Sequence, residues 1–188
     1  LNGSLWEMRS KNNIYSCTGI AELCKSSYFC NKSIESSSMN QIKQIALVAH
    51  DNRKQDLIEW VKYNWSKLHH HQLICTGTTG RVVEEALSSK TDIPLSITKL
   101  KSGPLGGDQQ LGALIADGKI DIMIFFWDPM EPQAHDVDVK ALSRISVLYN
   151  VPMANNRSTA DFMIDSVHFQ QEYKPLLKDY SSYIRRKI

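Results

Sequence analysis

No stretch of the 188-residue chain approaches the roughly 20 consecutive apolar residues that span a bilayer. The longest apolar run, Ile120 to Trp127, is strand-sized and is broken by Asp121. Charge of one sign is also lacking: 22 Lys and Arg stand against 20 Asp and Glu, a net charge of +2. That balance argues against broad nucleic-acid binding, which needs many cations to neutralise phosphates. A small anionic ligand needs only local positive potential. Cysteine is scarce, and none of Cys17, Cys24, Cys30 and Cys75 forms a CxxC pair. This points away from a zinc ribbon or a disulfide framework and towards a reduced, cytoplasmic protein. HExxH, a serine elbow and a Walker GKS or GKT are all missing. What remains, 42% hydrophobic and 22% charged residues, suits one globular domain with an appendage.

The appendage is residues 1–38. They hold nine serines, four basic and three acidic residues and no proline, with no sustained helical or strand period. A basic start followed by an apolar core is absent, so a secretory signal is not indicated, and Glu7, Glu22 and Glu35 count against a transit peptide. The expectation is a disordered or extraneous extension, with the functional domain at 39–188.

From Ile45 onward strand and helix patterns alternate. Ile45–Ala49 reads as a doubly buried strand; Leu57, Ile58, Val61, Trp65 and Leu68 then recur at helical spacing, with Asp51 as the expected N-cap. Further strands are expected at Gln72–Cys75, Ser96–Lys101, Ile120–Phe126 and Val151–Ala154. Helices follow them through Val82–Leu87, through Leu111–Ile115 with Gly118 as the stop, through Leu142–Leu148, and after a capping pattern at Ser158–Asp161. Strand–helix units in that number imply an α/β fold, a three-layer doubly wound sandwich with a five-stranded parallel sheet of flavodoxin-like type. Ligands of such sheets bind beyond the carboxyl ends of the strands. The unusual polar clusters nearly all follow a strand and precede a helix, so they are expected to share one edge.

The segment Thr76-Gly-Thr-Thr-Gly80 offers hydroxyls and backbone N–H groups at a helix start, where the dipole favours an anion. Ser102-Gly103 repeats the theme and Lys54 can add charge; an ordinary glycine turn capped by threonine is the competing reading. Gly106-Gly107-Asp108 presents a carboxylate at a helix start, as an N-cap or as a general base. His135 can donate to a carbonyl or enolate oxygen, and Asp138 can orient it or act as a second acid; Asp136 or Asp138 can equally cap the next helix. His50-Asp51 and Asp128 end other strands. The His69–His71 tract looks like metal ligands but sits at a helix end, where a solvated cationic terminus is expected. Trp60 and Trp65 read as helix packing, and Cys75 as a small buried residue.

The block Gly103-Pro-Leu-Gly-Gly-Asp-Gln-Gln110 resembles the signature of the methylglyoxal synthase family. Ala46-Leu-Val-Ala-His-Asp51 with Lys54, Thr76–Gly80, Phe125-Phe-Trp-Asp-Pro129, His135–Leu142 and Thr159–Phe162 agree with it in order and spacing, over about residues 42–186. The resemblance implies a carbon–oxygen lyase that turns dihydroxyacetone phosphate into methylglyoxal and inorganic phosphate. It implies no metal and no organic cofactor. It also implies a homohexamer inhibited by phosphate; the charge balance and the lack of a long apolar run are what argue against nucleic-acid and membrane partners. Asp108 matches the catalytic base. His50, Lys54, Thr76, Gly77, Thr78, Thr79, Ser102, Gly103 and His135 match substrate contacts, Asp138 an assisting acid, and Asp51 and Asp128 further site acids. Val137 replaces a proline common in the family. The family's C-terminal arginine aligns with Lys187, with Arg185 and Arg186 beside it, and residues 1–38 have no counterpart.

That chemistry suits the residues. A carboxylate takes a proton beside the ketone, a histidine stabilises the enediolate, and the hydroxyl loops with Lys54 hold the departing phosphate. Two rivals share the fold: a non-catalytic regulatory module that binds a phosphorylated small molecule and needs no base, and a flavodoxin-like electron carrier, which would be yellow.

Overall fold

The computed structural model describes residues 39–88, 96–130 and 136–185, and at Asp136, Asp138 and Ile184 the backbone alone. The 1–38 extension, His135, Arg186 and Lys187 lie outside the described residues. Five strands form one parallel sheet: β1 (Gln44–Ala49), β2 (Gln72–Cys75), β3 (Ile97–Lys99), β4 (Ile122–Phe126) and β5 (Met153–Ala154). The longer helices are α1 (Lys54–Tyr63), α3 (Gly77–Ser88), α4 (Gly107–Ala116), α5 (Asp136–Leu148) and α6 (Arg157–Ile164), with short ones at α2 (Trp65–Leu68), α7 (Val167–Gln170) and α8 (Ser181–Ile184).

The strand order is β3-β2-β1-β4-β5, so chain progression reverses between β1 and β4. Right-handed crossovers on either side of that reversal send helices to opposite faces. Strand alternation divides the core accordingly. Ile45, Leu47, Leu73, Cys75, Ile122, Ile124 and Phe126 face one cluster with α1, α3 and α6. Ala46, Val48, Ile74, Met123 and Phe125 face the other with α4 and α5. Burial on both faces explains why β1 and β4 read as continuous apolar runs. Register places Leu47 between Cys75 and Ile124, which brings the carboxyl ends of β1, β2 and β4 to one edge.

Several local expectations are corrected. Asp51 does not cap α1: it opens a 3₁₀ turn (Asp51–Arg53), and the cap position belongs to Arg53, without a side-chain bond. At α6 the cap is Asn156, whose Oδ1 accepts from the Thr159 amide at 2.9 Å, and not the Ser158–Asp161 pattern. Asp161 instead accepts the Trp60 indole N–H at 2.7 Å, and Trp60 is wholly buried. The edge strands are shorter than expected. β3 spans three residues with Thr98 and Lys99 exposed, and β5 begins after Pro152, which has no N–H to donate. Gly118 stops α4 as expected, in the left-handed region (φ 67°).

The opposite, amino edge of the sheet is pinned by a buried lysine. Lys43 Nζ donates to the carbonyls of Asn40 and Gln171, both at 2.6 Å, and Met39 bridges Tyr173. Burial lowers the Lys43 pKa and raises that of Asp121, which accepts the Gln44 amide at 2.7 Å. His71 departs from the solvated tract expected of it. Its Nδ1 accepts the Lys43 amide at 3.1 Å, its ring stands edge-on to Phe169, and burial pushes its pKa down to about 4. Among the described residues no helix is long and apolar enough to cross a membrane, and no group of three or more His, Cys, Asp or Glu is placed to hold a metal ion.

Candidate active site

Beyond the carboxyl ends of β1, β2 and β4 lies a cavity of about 260 Å³. Four chain segments build its polar side. The exit of β1 contributes His50 and Asp51, the β2–α3 junction Thr76 and Thr78, and the loop after β3 Ser102, Gly103 and Pro104; the start of α4 contributes Asp108. An apolar wall completes it, with Val48 and Ala49 from β1, Phe125 from β4, and Val139 and Leu142 from α5. In sequence these wall residues are ordinary strand and helix positions. Nothing local in the sequence marks them as wall residues; the strand register and the packing of α5 bring them to the cavity.

Glycines bring the loops together. A Cβ on Gly77 would stand 3.0 Å from the Leu100 carbonyl oxygen and 3.1 Å from the Ser102 nitrogen, so the loops after β2 and β3 touch there. A Cβ on Gly107 would fall 2.0 Å from the Lys101 carbonyl oxygen, a contact no side chain permits. Gly106 takes φ 90°, turning the chain from the loop into α4, and is itself the cap residue. Asp108 therefore lies in the first turn of α4 rather than at its cap. It is half-buried on the cavity, and its Oδ2 accepts from Gln109 Nε2 at 2.7 Å.

The α3 and α4 N-termini both open on this edge, and first-turn amides with the helix dipoles favour an anion. Lys54 Nζ, one turn along from the exit of β1, donates to Thr78 Oγ1 at 3.0 Å and pairs with Asp51 Oδ1 at 2.5 Å. It thus places positive charge at the cavity rim. Thr76 Oγ1 donates to Thr79 Oγ1 at 3.1 Å, with both residues buried. Thr79 and Gly77 do not line the cavity themselves; they set the turn that presents Thr76 and Thr78.

Asp128 sits behind His50. Its backbone N–H donates to His50 Nδ1 at 3.2 Å, and the His50 ring stands edge-on to Phe125 with centroids 5.3 Å apart. The Met130 amide first, then the Asn52 amide, hold the Asp128 carboxyl below its usual pKa. Asp138 occupies the first turn of α5, on the same edge, while His135 is among the residues not described. Cys75 is buried one residue before the threonine loop, and desolvation pushes its thiol up to about 12, which makes it inert at neutral pH.

Residues 56–155 match the family model described as MGS-like domain. The methylglyoxal synthase of Maridesulfovibrio salexigens is 52% identical over 157 residues, covering 80% of this chain and all of the relative. That of Leptospira interrogans is 55% identical over 149 residues, 79% of this chain and 97% of the relative. The crystal structure of methylglyoxal synthase from Elizabethkingia anophelis superposes with a TM-score of 0.75 at 49% identity, covering 82% of this chain and 97% of that one. A doubly wound sheet, a carboxylate and two hydroxyl loops around one cavity, and identity near one residue in two over whole relatives agree on a single assignment: the chain belongs to the methylglyoxal synthase family.

Proposed function

We propose that the cavity performs the methylglyoxal synthase reaction, with Asp108 as its base. The observation that carries this is the presence of the Asp108 carboxylate in the same small cavity as Thr76, Thr78, Ser102 and Gly103. Dihydroxyacetone phosphate binds with its phosphoryl group against the Thr76–Thr79 and Ser102–Gly103 loops, and Lys54 supplies countercharge from the rim. Asp108 removes a proton from the hydroxyl-bearing carbon beside the ketone. Negative charge develops on the ketone oxygen, where His50 and His135 donate hydrogen bonds and Asp138 assists. The enediolate electrons then expel the phosphate as the C–O bond on the other carbon breaks. The hydroxyl proton passes to the departing phosphate, and the resulting enolate takes back one proton, the equivalent of that removed by Asp108, on its terminal carbon to become methylglyoxal. Substrate atoms are fully accounted for as methylglyoxal and inorganic phosphate, with no water consumed.

Expulsion requires the breaking C–O bond to stand perpendicular to the enediolate plane. Grip on the phosphate therefore decides between elimination and simple isomerisation. The apolar wall of Val48, Phe125, Val139 and Leu142 lowers the local dielectric and strengthens each polar contact. General-base catalysis contributes about 10²–10⁴-fold, so positioning and electrostatic stabilisation supply the remainder.

The family resemblance also supports a cytoplasmic homohexamer inhibited by its phosphate product. Exposed Phe162, Leu176 and Val147 are consistent with surfaces that assemble. Sedimentation would read six subunits in the expected case. The decisive experiment incubates the protein with dihydroxyacetone phosphate and measures methylglyoxal and phosphate together. Equal amounts of both are expected; triose isomerisation or ligand binding without turnover would overturn the reading.

A further inference from the structure

We propose that Asn52 is a positioning residue for His50, acting through Asp128. The inference rests on the reading of His50 as a substrate contact. Three hydrogen bonds link these residues. Asn52 Nδ2 donates to Asp128 Oδ2 at 3.2 Å, the Met130 amide donates to Asp128 Oδ1 at 3.0 Å, and the Asp128 amide donates to His50 Nδ1 at 3.2 Å. Each carboxylate oxygen of Asp128 is thus held from a different side, which fixes the Trp127–Met130 turn and aims its backbone N–H at the imidazole.

A ring nitrogen that accepts a backbone N–H carries no proton, so the His50 proton resides on Nε2. His50 lines the cavity, and this tautomer makes Nε2–H its donor to substrate. The charged neighbour Arg53 does not replace Asn52 in this task. Its guanidinium stands 4.0 Å from Asp128, beyond hydrogen-bond reach, and is engaged with Asp56 at 3.1 Å. Asn52 is exposed on the short turn after β1, so changing it removes an orienting bond without opening the core.

The test compares Asn52→Ala and Asn52→Asp with the unchanged protein. A donor aimed at an oxygen that gains charge in the transition state acts on kcat more than on KM. Asn52→Ala is expected to lower kcat about tenfold while KM and inorganic phosphate binding stay within about twofold. Asn52→Asp, which sets a second carboxylate against Asp128, is expected to lower kcat further. Nitrogen-15 NMR of the imidazoles should show His50 protonated at Nε2 in the unchanged protein and a mixture of tautomers in both variants. Unaltered kcat and an unaltered His50 tautomer in both variants would overturn the proposal. His50→Ala separates the two levels. If it impairs turnover while the Asn52 variants do not, the positioning role alone fails; if it turns over normally, the reading of His50 fails as well.

Discussion

Lys54 Nζ and Thr78 Oγ1, from two successive strand–helix units, meet at 3.0 Å at the mouth of the cavity. The contact joins a positive charge, held in place by Asp51, to the loop proposed to grip phosphate. Lys54→Met should therefore raise KM and weaken phosphate inhibition about 10–100-fold, the worth of a charge-assisted hydrogen bond, with a smaller effect on kcat. Initial rates with and without added phosphate check this; unchanged KM and inhibition would remove Lys54 from the site.

Asp108→Asn keeps the shape of the side chain and removes its basicity. Turnover should fall by about 10²–10⁴-fold or more, while a phosphate-bearing inhibitor still binds and far-ultraviolet dichroism is unchanged. Calorimetric titration of the inhibitor beside a turnover assay separates the base from a binding role.

Gly107 and Gly103 make a matched pair. An alanine at 107 would drive its Cβ into the Lys101 carbonyl, so Gly107→Ala should cost about 3 kcal/mol in denaturant unfolding and distort the base-bearing turn. A Cβ on Gly103 meets nothing within 4 Å, so Gly103→Ala should unfold at nearly the same denaturant midpoint.

Acid should weaken the fold through His71. Its folded pKa of about 4 lies below the ordinary value of 6.5, so the unfolded chain binds the extra proton between those values. The associated stability is fully present above about pH 6.5 and drains away as pH falls towards 4. His71→Gln, which keeps an acceptor for the Lys43 amide but does not titrate, should flatten Tm across that window. The lowered Asp128 carboxyl acts in the same direction but further down the scale, as pH falls through its depressed value.

The strands of the sheet's centre were readable because burial on both faces leaves an uninterrupted apolar signature, and β2 matches its expected bounds. The shared edge followed from chain order alone, since each polar cluster sits between a strand and the next helix. The failures have a common physical origin. Asp51 has the local look of a cap, but an ion pair with Lys54 claims it. Asp161 fits a capping pattern, yet a tryptophan 101 positions away holds its oxygen. His71 belongs to a polar tract until Lys43, just ahead of β1, supplies a donor. In each case a partner distant in the chain, or a competing neighbour, outbids the local motif. The apolar half of the cavity was equally invisible, because Val48 and Phe125 become wall residues only when β1, β4 and α5 are assembled.

Lys43 ties the segment ahead of β1 to the stretch after α7 through one ammonium group and two carbonyls. Shaving the carboxyl-terminal strap back past Gln171 would leave that buried cation with one of its two carbonyl partners. Erosion of this end should accordingly loosen the entry to the first strand, while the opposite rim, where the proposed site lies, keeps its shape until the sheet itself gives way.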